Sequence, residues 1–165
     1  MSTETSQVVV PEEVATRVNA ARDAGKPITL AYVAPDGFPV VSLRGSVHVH
    51  GPGQLALWVR HGDGDLIRAI RVNPKVSLLY RDNDDRTTLV FSGLARVTDD
   101  AAERNRIFDE SPTGERDHDP ERAGAAVVID LRYLEGGSVG PSGSRFHHHD
   151  GAADTRVWSR LYPAT

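Results

Sequence analysis

The stretch Lys75–Val97, KVSLLYR followed by DNDDR and TTLVFSGLARV, decides the fold. Its flanking runs, residues 75–81 and 87–97, are rich in β-branched and aromatic residues, and the link between them is short and polar. Parallel neighbours need a crossover of a dozen or more residues, usually a helix. The link holds none, so the two runs are expected to pair antiparallel. Upstream the same grammar repeats. ITLAYVA (28–34) meets the turn PDGF, whose Pro35 and Gly37 supply the backbone angles a turn needs. PVVSLRGSVHVH (39–50), the turn GPGQ and LALWVRH (55–61) follow. Downstream, AAVVIDLRYL (125–134) reads as a buried strand and TRVWSRLY (155–162) as the last one.

Helical pieces are few. PEEVATRVNAARDAGKP predicts an N-terminal helix over 11–25, opened by Pro11 and closed by Gly25. GDGDLIRAIRVNP predicts a short helix capped by Asp63 or Asp65 and stopped near Asn73-Pro74. DDAAERNRIFDE predicts another, capped by Thr98 or Asp99. Six to seven antiparallel strands with two or three peripheral helices give a mainly β fold with α inserts, a barrel rather than a wound parallel sheet.

The 165 residues suit a single domain over 1–165, with residues 1–10 expected to be disordered and 140–165 a tail carrying the final strand. Apolar residues make up 39% and charged residues 25% of the chain, ordinary for a soluble globular protein. A net charge of −4 gives no reason to expect nucleic acid. The absence of cysteine excludes disulfides, thiolate metal sites and cysteine nucleophiles. MSTETSQVVVPEE lacks a basic stretch followed by an apolar one, and no apolar run is long enough to span a membrane. The expectation is a cytoplasmic protein with no membrane partner.

Within residues 41–50, VSLRGSVHVH, one parity carries Val41, Leu43, Val47 and Val49, and the other carries Ser42, Arg44, Ser46, His48 and His50. Alternation along one strand predicts a buried aliphatic face and a displayed polar, basic one. That displayed face is either a solvated exterior or a wall for an anionic ligand. LALWVRH supports the wall by placing Trp58 and Arg60 on one face, an aromatic surface beside a cation.

In this order the elements resemble the pyridoxamine 5′-phosphate oxidase-like family, the flavin-binding split β-barrels. The resemblance runs from about Ile28 to Pro163 and rests on the PDG hairpin, the Pro-Val-Val-Ser strand, RVNPKVSLLYR and FSGLARV in sequence. The tail adds Arg145-Phe146-His147, similar to the family's Arg-x-His element. Trp158-Ser159-Arg160-Leu161-Tyr162-Pro163 is similar to its last strand, with one residue fewer after the tryptophan. The resemblance explains the internal run His147–His149 better than a purification tag does. Adjacent strand residues point to opposite faces, so such a run rarely chelates one ion.

The resemblance implies FMN bound at a homodimer interface. It places Arg44, Arg60 and Arg68 as phosphate cations, and His61 at the phosphate end. Trp58, Val59 and Ser42 line the ring, Thr88 is reached from the partner, and Trp158 and Arg160 approach from the last strand. Arg145 and His147 take the catalytic, substrate-side positions. Departures stand beside these matches. Gly64-Asp65-Leu66 replaces the family's Ser-Arg-Lys, and a carboxylate beside a phosphate is unfavourable. Ser42 replaces a phosphate-binding Arg, Val47 a Lys and Ser111 an Arg, while His148 and His149 replace Asp and Arg. Pyridoxamine phosphate oxidation itself is therefore not expected. The expectation is a flavin-dependent oxidoreductase acting on an unidentified small molecule, with the deazaflavin F420 as an alternative cofactor. Two alternatives stay open: a haem-binding split barrel with His48, His50, His61 or His147–His149 as axial ligand, and a cofactor-free binding or stress protein. No metal site is expected.

Overall fold

A computed structural model of the chain describes residues 8–140, 143–149 and 156–158. The elements run α1 (Glu12–Ala20), β1 (Ile28–Val33), β2 (Pro39–Arg44), β3 (His48–Gly51), β4 (Gln54–Val59), α2 (Asp65–Val72), β5 (Lys75–Asp82), β6 (Thr87–Val97), α3 (Ala101–Glu110), α4 (Thr113–Arg116), β7 (Ala125–Gly140), β8 (Gly143–His149) and β9 (Arg156–Trp158). All strand pairs are antiparallel, and the continuous path through the sheet is β2-β1-β5-β6-β7-β4-β3. The Lys75–Val97 hairpin is β5–β6, in register from Lys75↔Leu94 to Asp82↔Thr87. Two further strands extend the sheet beyond β7 and raise the described total to nine. No described helix is long and apolar enough to cross a membrane.

β2 and β3 end the path on opposite sides and are not paired with each other. Yet only residues 45–47 separate them, and so short a link spans at most roughly 14 Å from Arg44 to His48. The two edges of the sheet must therefore approach, and the barrel is split between them. Ser46 staples the link to β4: its hydroxyl donates to the Trp58 carbonyl at 2.8 Å and accepts the Trp58 N–H at 3.1 Å.

Two apolar clusters hold the chain. The larger lies inside the curled sheet, where Leu30, Leu55, Leu57, Phe91 and Ile129 meet Val14 and Val18 of α1 and Leu66, Ile67 and Ile70 of α2. The smaller packs Ile107 and Phe108 of α3 onto Ala56, Trp58, Ala126 and Val128 of β4 and β7. β4 is thus covered on both faces.

Three local expectations are corrected. Residues 41–50 are not one strand, because the link at 45–47 divides them between opposite edges. In β2 the aliphatic residues face outward, Val41 65% and Leu43 67% exposed, while in β3 the polar parity of His48 and His50 is buried under α3. Gly64, with no side-chain cap, begins α2, and Asp100 caps α3 by accepting the Glu103 N–H. The first helix is regular only to Ala20; turns continue it to Gly25, which adopts φ 71°.

Candidate functional site

Arg44 ends β2 at the split. Its parity partners Val40 and Ser42 share the face of Ile28, Leu30 and Tyr32, which looks into the barrel. The guanidinium is half-buried and donates to Ser42 Oγ at 3.1 Å. Arg60 follows β4, two residues beyond the Trp58 backbone that Ser46 grips, and its charge reaches Arg44. Burial above all lowers the Arg44 pKa; Tyr32 works against it, and the Arg60 charge adds the smallest share to the lowering. Among the described residues neither arginine has a carboxylate partner, whereas Arg17, Arg22, Arg96, Arg106 and Arg122 each do. Two neighbouring like charges without an acid between them suit an anion.

The other expected contributors are distributed differently. Arg68 does turn back toward the loop, donating to the Asp63 carbonyl, but Asp65 takes its other nitrogen and offsets its charge. His61 is exposed, with its carbonyl closing a turn onto Gly64 N–H at 3.0 Å. Val59 is in the larger core. Trp58 is not beside the arginines: it is buried beneath α3, edge-on to Phe108 at 4.9 Å between ring centres, with Arg104 4.8 Å above its ring. Thr88 lies on the outer face of β6, its hydroxyl accepting from Arg81 at 2.6 Å. Val47 is buried in the larger core, and the Ser111 hydroxyl donates to the Ile107 carbonyl. Neither position presents the cation that the oxidases carry there.

Arg145 and His147 lie on β8 and Trp158 on β9, so the histidine run is the middle strand of three, with His147 opposite Gly136 on one side and Val157 on the other. Arg160 and residues 1–7 lie outside the described residues. His48 and His50, offered above as haem ligands, are sealed under α3.

The outer face of β2-β1-β5-β6-β7 carries Val41, Leu43, Leu79 and Tyr133, all exposed, around a shallow groove of about 410 Å³ that Ala31, Pro39, Ser77 and Ser92 help to line.

No family model and no curated protein matches the chain. Solved structures do. A pyridoxamine 5′-phosphate oxidase-related, FMN binding protein of Nostoc punctiforme aligns with a TM-score of 0.67 at 13% identity, covering 94% of this chain and 98% of its own. A conserved hypothetical protein of Mycobacterium tuberculosis aligns at 0.61 and 21% identity, covering 82% and 89%. A Clostridium acetobutylicum protein related to general stress protein 26, of the pyridoxinephosphate oxidase family, aligns at 0.58 and 11%, covering 92% and 97%. The chain has the split β-barrel fold of the pyridoxamine 5′-phosphate oxidase-like proteins, the fold its motifs led us to expect.

Proposed function

We propose that the chain is a flavin-dependent oxidoreductase that binds FMN at the split of the barrel, with the cofactor's phosphate on Arg44 and Arg60, and acts on a small organic molecule. The carrying observation is that half-buried Arg44 feels the Arg60 charge, and among the described residues no carboxylate pairs with either. A dianionic phosphate relieves that repulsion, and guanidinium groups match its geometry. The fold shared with an FMN binding protein points the same way. Arg68 is left out of the phosphate set because Asp65 already occupies it. Hydride or electron transfer would be the flavin's own chemistry. The chain's part is to hold the phosphate and orient the ring.

The functional unit in this proposal is a homodimer. Val41, Leu43, Leu79 and Tyr133 leave apolar surface on one sheet face, and a second copy of that face would cover it. Thr88 lies on this same face, so it would reach the cofactor only across such an interface. The direct test is the visible spectrum of the purified protein followed by titration with FMN. A two-banded yellow spectrum, or saturable uptake of FMN at one per chain, supports the proposal. A colourless protein that refuses FMN contradicts it.

A further inference from the structure

The buried polar pair His48 and His50 is unexplained by the flavin site. Both project from β3 toward α3, being two residues apart on one strand and hence on one face. His48 is 4% exposed, and its Nδ1 lies 2.9 Å from the Ser46 carbonyl. A carbonyl only accepts, so the proton is on Nδ1 and Nε2 presents a lone pair. His50 Nε2 lies 3.3 Å from Glu103 Oε1. Both Glu103 oxygens also take hydrogen bonds from Arg96, so the carboxylate accepts the Nε2 proton, leaving Nδ1 of His50 as a second lone pair.

Both lone pairs aim at one oxygen. Glu110 Oε2 stands 3.6 Å from His48 Nε2 and 3.6 Å from His50 Nδ1. Its other oxygen is taken by Arg106 Nε at 3.0 Å, and Arg106 also donates to the His50 carbonyl, which fixes the carboxylate inward. Three acceptors thus face one another with no donor among them, and the two histidine nitrogens are buried without a hydrogen-bond partner. Such an arrangement costs free energy unless a cation sits between them.

We propose that His48, His50 and Glu110 form a binding site for a divalent transition-metal cation of the Zn²⁺ type. The three donor atoms lie within 4.8 Å of one another. Metal–ligand bonds of about 2.0–2.2 Å place tetrahedral donors roughly 3.4 Å apart, close to the 3.6 Å from Glu110 Oε2 to each histidine nitrogen. Two imidazoles and one carboxylate favour Zn²⁺ or Co²⁺ over Mg²⁺ or Ca²⁺, which want oxygen. Glu103 behind His50 is the outer carboxylate that such histidines commonly carry. The positive charges of Arg96 and Arg106 are each matched by Glu103 and Glu110, so they do not leave the pocket net cationic. With the Glu110 side chain 40% exposed, water can complete the shell from outside. The ion would fasten the end of α3 to the β3 edge. The inference is independent of the flavin proposal, since Arg44 and Arg60 take no part.

The full chain, freed of metal with a chelator, is titrated with Zn²⁺ and with Co²⁺. Two variants accompany it: Glu110→Ala, and a chain carrying His147→Ala, His148→Ala and His149→Ala to remove the other histidine cluster. The expected result is that the triple variant still takes up one Co²⁺ per chain with visible absorption bands. Zn²⁺ should also raise its melting temperature, and Glu110→Ala should lose at least about tenfold in that affinity. No uptake and no Zn²⁺-dependent stabilisation in the triple variant would overturn the site. So would Glu110→Ala binding as tightly as the unaltered chain. The melting measurement on the triple variant stands even if Glu110→Ala fails to fold.

Discussion

The indole N–H of Trp58 donates to Asp119 Oδ2 at 2.8 Å, and the same carboxylate accepts the backbone N–H groups of Ala123 and Gly124 at 3.0 and 2.9 Å. One buried acid therefore ties β4, the segment after α4 and the approach to β7 together. Removing it strands buried donors, each costing about 1–3 kcal/mol. Asp119→Ala is expected to destabilise the fold by about 3 kcal/mol in urea unfolding, with Trp58 becoming more exposed by fluorescence quenching. A change under about 0.5 kcal/mol would show that the carboxylate holds nothing.

The same group sets an acid limit. Burial alone would raise its pKa, but the hydrogen bonds from Trp58, Ala123 and Gly124 and the Arg104 charge outweigh it, so the carboxyl titrates below the ordinary Asp range. A lowered folded-state pKa contributes stability that is fully present above the unfolded value, near pH 4, and is lost as pH falls through the folded value. Stability measured from pH 6 downward should decline from about pH 4, and less steeply in Asp119→Asn.

Gly124 is where backbone meets backbone. A Cβ there would stand 2.3 Å from the Val59 carbonyl oxygen, 2.8 Å from Trp58 Nε1 and 3.0 Å from the Arg60 Cα. The carbonyl cannot swing aside as a flexible side chain would. Gly124→Ala should cost about 1–3 kcal/mol by overpacking, read as a lower melting temperature. An unchanged melting temperature would mean that the β4–β7 contact is loose.

Arg60 separates binding from folding. It is exposed and unpaired among the described residues, so Arg60→Gln should leave apo stability within about 0.5 kcal/mol. FMN affinity should fall about tenfold, the loss of one charge-assisted contact of about 1.5 kcal/mol. Equal FMN affinity would remove Arg60 from the phosphate set.

The dimer proposal is tested at Leu43, 67% exposed on the outer face of β2. Leu43→Glu should leave the far-ultraviolet circular dichroism unaltered while shifting sedimentation from dimer to monomer. A wild-type protein that sediments as a monomer would contradict the dimer.

Much of the fold was legible because turn residues punctuate it: PDGF, GPGQ and DNDDR all separate strands as expected. The split was not, because the alternation of Val41, Leu43, Val47 and Val49 keeps one parity across the turn-type pair Gly45-Ser46 and reads as continuous strand. That one misreading turned Val41 and Leu43 outward and His48 and His50 inward, while Val47 and Val49 do pack on the core as expected. Trp58 shares a parity with Arg60, but periodicity along β4 cannot say that α3, more than forty residues later, covers one of the two. Arg44 and Arg60 remain without a carboxylate partner among the described residues, whereas the loss of Arg68 to Asp65 follows from their i, i+3 spacing, visible in DLIR. Glu110 gave no signal. His-x-His on a strand did put two imidazoles on one face, and only the packing of α3 supplied the acid beside them.

Parallel titrations with FMN and riboflavin, on the wild-type chain and on Arg44→Ala combined with Arg60→Ala, probe the phosphate site most directly. Riboflavin lacks only the phosphate. With two charge-assisted contacts of about 1.5 kcal/mol each, the wild type should prefer FMN roughly 100-fold, and the double variant should lose that preference. Equal affinity of the wild type for both flavins, or a preference that survives the double substitution, would contradict a phosphate held by Arg44 and Arg60.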